Sequence, residues 1–412
     1  MNTKNNKILF FFPHNPYPAR SGAHRRCLEM LAGFKELGFE VTLMSSTLSS
    51  ETIWEMSSIQ DLKSQYCSDV CIYEPTKFDY KLISLVRRYY RITKQNPPIS
   101  SLLNTPLGMC NWFAQKFESI KPEIIVMNYA YWDRLFHSKK NNSVRKIIDT
   151  YDLVSLNSSM QNAVRKYLSF PLTSQSQIEQ KVLQEDFFDN LNLETSAEEF
   201  EIFDNYDRTI VISSKEIELI KSKTSKTQVV YIPVKQPCYE LDNQYEGSAI
   251  FTIGPNMFNI QGYIYFIKRI LPLILQKDST FSLQVTGGSC KDIYSTTGVT
   301  LSGFVPNLKM LYQTSSFAIC PVFGGTGQQI KITEAMAHGL PVVATRFAGE
   351  RSPIIHAENG FIANDHQEFA EYTLKLWQDK SLCKRLGTNA RETISANFSR
   401  DSLIKDLFLV VN

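Results

Sequence analysis

The chain has 412 residues, of which 43% are hydrophobic and 21% charged, and a formal net charge of +3. A single hydrophobic core stops growing at roughly 250–300 residues, so this length predicts two domains. The composition excludes a disordered or fibrous chain, and the balanced charge leaves no footprint for a nucleic-acid partner.

The eight cysteines are scattered, and no Cys/His group has zinc-ligand spacing. Reduced thiols and no metal site are expected. No apolar run approaches the roughly 18 residues that span a bilayer. The early run 8–12 is too short for a signal peptide and ends at His14 and nearby prolines. The expected location is therefore the cytoplasm or the inner face of a membrane.

In chain order, residues 8–12 read as a buried strand. A helical pattern follows over about 23–37, with Gly38 where a helix-ending glycine belongs. Short apolar runs at 41–44, 70–73, 124–127, 146–148 and 209–212 predict further strands. Runs that are apolar throughout and separated by helices indicate a parallel sheet covered on both faces. Between them, residues from Tyr80 to Lys94 form a basic, aromatic helix. Such a helix either has a solvated face or lies on an anionic membrane surface. Residues 153–207 turn polar and read as helical excursions, and the run 229–232 with Pro233 and Pro237 marks the crossing to a second domain.

The second half repeats the alternation, with strands at 250–253, 281–286, 317–320, 341–344 and 360–363. Helices are expected over 263–275, 330–337 and about 401–411. The predicted domains are residues 1–235, 236–395 and a C-terminal helix, 396–412, that packs back, towards the first domain. The fold class is α/β, two doubly wound parallel-sheet domains facing a central cleft. Such sheets bind ligands at the carboxyl ends of their strands.

The strongest chemical signal runs from Gly324 to Thr345. Gly324, Gly325 and Gly327 let the backbone turn sharply after a strand, and a helix then begins. Free amides and the positive end of the helix dipole make that turn an anion site, suited to a diphosphate. Lys331 and Glu334, three apart on the helix, offer a cation for phosphate and a carboxylate for ribose hydroxyls. His338 beside Gly339 is expected to interact with the helix C-terminus.

This stretch resembles the retaining glycosyltransferases of family four, which have the GT-B fold. The likeness extends to residues 251–254, 259–272, 303–306, 349–350 and 358–361, and in the first half to residues 16–26 and 38–42. It implies a hexose transferred with retention from a nucleoside diphosphate sugar to a hydroxyl acceptor, a glycan or lipid-linked one. It also implies surface-polysaccharide assembly as the setting, with no cofactor beyond the co-substrate and no metal required.

The donor site is expected at Glu334, Lys331, Gly325, Thr326, Gly327, Gln328, Gly254 and Gly22. Glu334 matches the second of a glutamate pair that holds the donor in that family, whereas Thr326 stands where the first would be. Tyr151 stands where family members often carry a histidine. Tyr151 and Asp152 are candidates for the reaction centre, and His14 and Arg26 for the acceptor or phosphate side. The missing glutamate leaves two alternatives: a sugar-nucleotide-binding subunit of low intrinsic activity, or a sugar-nucleotide epimerase of the same fold.

Overall fold

A computed structural model describes residues 6–48, 53–137, 144–168, 171–239 and 243–412. The chain forms two compact units: Met1–Ser155 with Thr195–Lys235 and Arg400–Asn412, and Leu156–Glu194 with Gln236–Ser399. The break after Lys235 and the return of the last helix to the first unit were expected, whereas the placement of Leu156–Glu194 in the second unit was not. The segment Leu156–Glu194 packs in the second unit, where the Gln261 amide donates to the Val182 carbonyl at 2.9 Å and the Tyr265 hydroxyl to Glu185 at 2.7 Å.

The first unit is built on a seven-stranded sheet. Its strands are β1 Lys7–Phe11, β2 Glu40–Ser46, β3 Asp69–Tyr73, β4 Ile124–Asn128, β5 Arg145–Asp149, β6 Arg208–Val211 and β7 Gln228–Tyr231. They lie in the order β3-β2-β1-β4-β5-β6-β7, and every pairing is parallel. Side chains alternate across a strand, which is why β1 is apolar at consecutive positions. Phe10 packs on Phe34 of the helix Gly22–Glu36, while Phe11 meets Phe113 of the helix Leu107–Ile120 and Trp132. Both faces of the strand are therefore covered.

The helix Gly22–Glu36 is fixed at three levels. Ser21 caps it by accepting from the His24 amide, and Gly38, with φ +86°, follows its end. Arg26, 2% exposed, donates from Nε and Nη2 to the two Asp149 oxygens at 2.7 and 3.1 Å, and from Nη1 to the Ile232 carbonyl at 3.0 Å. The final helix, Arg400–Val411, lies against it: Leu407 fills the space beside Gly33, and Arg400 pairs with Glu36 at 2.8 Å.

The second unit holds a six-stranded parallel sheet. Its strands are β8 Ala249–Thr252, β9 Leu283–Thr286, β10 Val299–Gly303, β11 Ala318–Cys320, β12 Val342–Thr345 and β13 Gly360–Ala363. The order is β10-β9-β8-β11-β12-β13, so both sheets reverse direction beside their first strand. Strand β10 was not expected; it is an edge strand whose side chains alternate between buried and exposed. The helix expected over 263–275 starts earlier, as Met257–Tyr265, passes through a π-helical turn at Phe266–Ile270 and continues as Leu271–Lys277.

Burial on the helix Gly22–Glu36 pushes the Glu29 carboxyl up to about 7 from its usual 4.5, against the pull of Arg25 and Arg26. The folded chain then holds this proton more tightly than the unfolded one. That contribution to stability is complete below about pH 4.5 and is lost as pH rises through about 7. Glu29→Gln is expected to remove this loss, making the variant more stable than wild type by on the order of 2–3 kcal/mol above pH 7 and equal to it near pH 4.5. Thermal melts of both proteins across that pH range test it, and parallel stability curves would refute it.

Candidate functional site

In a doubly wound sheet, the loops leaving the two strands that flank the reversal diverge to opposite faces and leave a crevice at their carboxyl ends. In the second unit those strands are β8 and β11. The β8 loop contains Gly254, whose carbonyl accepts from the Asn259 amide at 3.1 Å and the Ser289 hydroxyl at 2.9 Å. Asn256 caps the helix that follows by accepting from the Phe258 amide at 2.9 Å.

The β11 loop is the glycine turn. Gly325 has φ +108°, a conformation that side-chain-bearing residues rarely adopt. The helix Ile330–Ala337 begins after Gln329, which places its first amides at this end of the sheet. Lys331 turns towards the β8 loop, and its ammonium donates to the side-chain Oδ1 of Asn259 at 2.6 Å. Asn259 therefore ties together the two loops of the crevice. Burial holds the Lys331 ammonium below its usual pKa, against the pull of the nearby Cys320.

Glu334, one turn further along the helix, accepts from the Tyr312 hydroxyl at 3.3 Å. Tyr312 is itself 1% exposed, so the carboxylate is held from a rigid base. His338 caps the helix: its ring nitrogen lies 2.8 Å from the Glu334 carbonyl, and its ring packs between Tyr239 and Tyr312. Thr326 and Gln328 are 5% and 8% exposed, and the Gln328 amide reaches the Thr333 hydroxyl at 3.5 Å.

Gly254, Gly325, Thr326, Gly327, Gln328, Lys331 and Glu334 thus lie on the two loops and the helix of one crevice. Three contributors were not anticipated. Asn259 carries no charge and was not singled out as a site residue, although it opens the stretch 259–272 that resembles the family's first helix. Tyr312 lies 22 residues before the glutamate it supports. Gly262 lets its helix approach the end of β11, since a Cβ there would stand 2.7 Å from the Pro321 carbonyl oxygen.

The other candidates belong to the first unit, at the equivalent reversal between β1 and β4. Gly22 opens the helix that follows β1, and His14 stands edge-on to Phe12 at 6.0 Å. Tyr151, just beyond β5, stacks on Tyr129, just beyond β4, with ring centroids 4.4 Å apart. Both tyrosines have positive φ, 59° and 66°. Backbone strain of this kind gathers at functional sites and costs on the order of 1–3 kcal/mol per residue. The Tyr151 hydroxyl is buried with no hydrogen-bond partner among the described residues. Asp152 is half-buried at the start of the same loop.

Arg26 is a correction. A role towards acceptor or phosphate needs a reachable guanidinium, and all three of its nitrogens are engaged inside the unit, by Asp149 and the Ile232 carbonyl. Its work is to hold helix, strand and chain crossing together.

Residues 247–379 match the family model described as Glycosyl transferases group 1. A protein of Klebsiella pneumoniae, "Uncharacterized 44.6 kDa protein in cps region", is 24% identical over 224 residues, covering 50% of this chain and 57% of that one. The chain spans about half the length, or less, of the curated relatives it matches. Among solved structures, a variant of S. aureus TarM in complex with fondaparinux, alpha-GlcNAc-glycerol and UDP aligns with a TM-score of 0.66 at 11% identity, covering 99% of this chain and 100% of that one. Anabaena HepE in complex with UDP-glucose aligns at 0.61 and 12% identity, covering 98% and 99%. The structural likenesses establish the fold. The family match lies within the second unit, over residues 247–379.

Because the helix at Gly262 touches the end of β11, widening that contact should disturb the crevice without touching its polar groups. Gly262→Ala is expected to cost about 1–3 kcal/mol as backbone is pushed from backbone, and Gly262→Val more. Chemical denaturation of the three proteins is the check; an unchanged midpoint for both variants would contradict the packing described.

Proposed function

We propose that this protein transfers a hexose from a nucleoside diphosphate sugar to a hydroxyl of a glycan or lipid-linked acceptor, with retention, in surface-polysaccharide assembly. The observation that carries the reading is the Lys331–Asn259 link across the crevice at the β8/β11 reversal, with Glu334 one turn beyond. A diphosphate in the glycine turn would meet the first amides of the helix and the Lys331 ammonium, and Glu334 would take the ribose hydroxyls. Charge building on the departing diphosphate is then met by donors already in place. The UDP and UDP-glucose complexes of the two structural neighbours make uridine nucleotides the first donors to try.

One observation favours a second reading. Thr326, buried in the glycine turn, supplies no carboxylate where the family resemblance would put a donor contact. A sugar-nucleotide-binding subunit of low intrinsic activity would bind donors and release no nucleotide diphosphate with any acceptor. An epimerase would convert the donor with no acceptor present.

Lys331→Met and Glu334→Ala are each expected to weaken nucleotide diphosphate binding by tenfold or more, about 1.4 kcal/mol or above. Calorimetric titration against UDP and the other common nucleoside diphosphates reads this directly. Unchanged affinity for all of them in both variants would overturn the assignment. Since burial lowers the Lys331 pKa and a bound diphosphate favours the charged ammonium, wild-type affinity should fall as pH rises, and the Lys331→Met protein should lose that dependence.

A further inference from the structure

The helix Lys77–Thr93 carries a surface that the donor site does not explain. Its inward face is set by Asp79 and Ile83, which are 0% and 6% exposed. Asp79 is the helix's sole acid, and it is spent locally. It accepts from the Thr76 amide at 2.8 Å, the Thr76 hydroxyl at 2.7 Å, the Tyr73 hydroxyl at 2.6 Å and the Gly108 amide at 3.3 Å.

The outward face is apolar. Phe78, Leu85, Tyr89 and Ile92 are 64%, 64%, 53% and 68% exposed. Spaced by seven, four and three residues, they fall within an arc of about 60° at 3.6 residues per turn and run about 21 Å along the helix. Isolated exposed apolar residues are ordinary, but a contiguous stripe marks an interaction surface.

The helix and its C-cap carry six cations, Lys77, Lys81, Arg87, Arg88, Arg91 and Lys94. Among the described residues none of them is joined to a carboxylate by a salt bridge. Lys81 and Arg88 border the stripe along one side, by the same helical geometry. A protein groove would ask for buried apolar side chains and a few paired charges. An apolar ridge edged by unpaired cations, with the only carboxylate withdrawn, instead complements a surface that is apolar below and anionic at its rim.

We propose that this helix seats the protein on an anionic lipid bilayer, lying in the plane of the interface with Phe78, Leu85, Tyr89 and Ile92 among the acyl chains and Lys81 and Arg88 on the headgroups. The interaction is independent of the donor chemistry and does not require the proposed transfer reaction to be right.

The test is sedimentation of the full chain with vesicles of phosphatidylcholine alone and of phosphatidylcholine mixed with phosphatidylglycerol. Wild type is expected to partition to the mixed vesicles, weakly to the neutral ones, and less as salt rises. Leu85→Glu/Ile92→Glu and Lys81→Glu/Arg88→Glu should each lower that partition by roughly tenfold or more. Because all four side chains face outward, melting temperature and nucleotide affinity should match wild type, which separates lost docking from lost folding. Equal binding to neutral vesicles, no binding to anionic ones, or indifference to both double substitutions would overturn the proposal. So would a concentration-dependent dimer that Leu85→Glu/Ile92→Glu dissolves while vesicle binding is absent.

Discussion

A parallel sheet that grows outward in both directions from a central pair of strands cannot cover the carboxyl ends of that pair. The loops leaving them diverge to opposite faces, and the gap between is a consequence of connectivity before any residue is chosen. Both sheets here have that reversal, beside β1 and beside β8. In the second, the gap is bridged by a single side chain. Asn259 holds the β8 loop through the Gly254 carbonyl and the β11 helix through Lys331, so one neutral amide keeps an anion-binding turn and its lysine in register. The glycine turn needs that support, since a backbone open enough to approach a ligand contributes no side-chain packing of its own.

The first unit solves the same problem with charge. Arg26 and Asp149 form a forked pair in a fully covered position, and the third guanidinium nitrogen reaches the chain where it leaves β7. Buried pairs of this kind add little net stability but are costly to break. They therefore fix geometry more than they deepen the fold. Here the geometry fixed is the end of β5, next to the strained, stacked Tyr129 and Tyr151.

Much of this was legible in the sequence because buried parallel strands are apolar at every position. Strands β1, β4 and β13 fall where continuous apolar runs stand. Strand β10 escaped because an edge strand alternates, and in Val299–Gly303 only the first residue is buried while Thr300 and Ser302 are exposed. Arg26 was misread for a different reason: its partner lies 123 residues away, and nothing local marks an arginine as buried. The assignment of Leu156–Glu194 depends on long-range contacts such as Phe188 with Phe258, which no periodicity encodes. At the donor crevice the charged residues stood out and their uncharged supports, Asn259 and Tyr312, did not, because hydrogen-bonding partners leave no pattern along the chain.

The last helix has a bearing on how the chain is made. Arg400–Val411 covers the helix Gly22–Glu36, with Leu407 beside Gly33 and Asp406 on Lys235, although nearly the whole second unit lies between them in sequence. Synthesis proceeds from the N-terminus and domains generally fold in that order. Here the unit that begins first is closed last. Until Leu407 has left the ribosome, the apolar wall around Gly33 stands open while the intervening unit can already be complete. Nascent chains carry that open wall until residues 400–411 have been made.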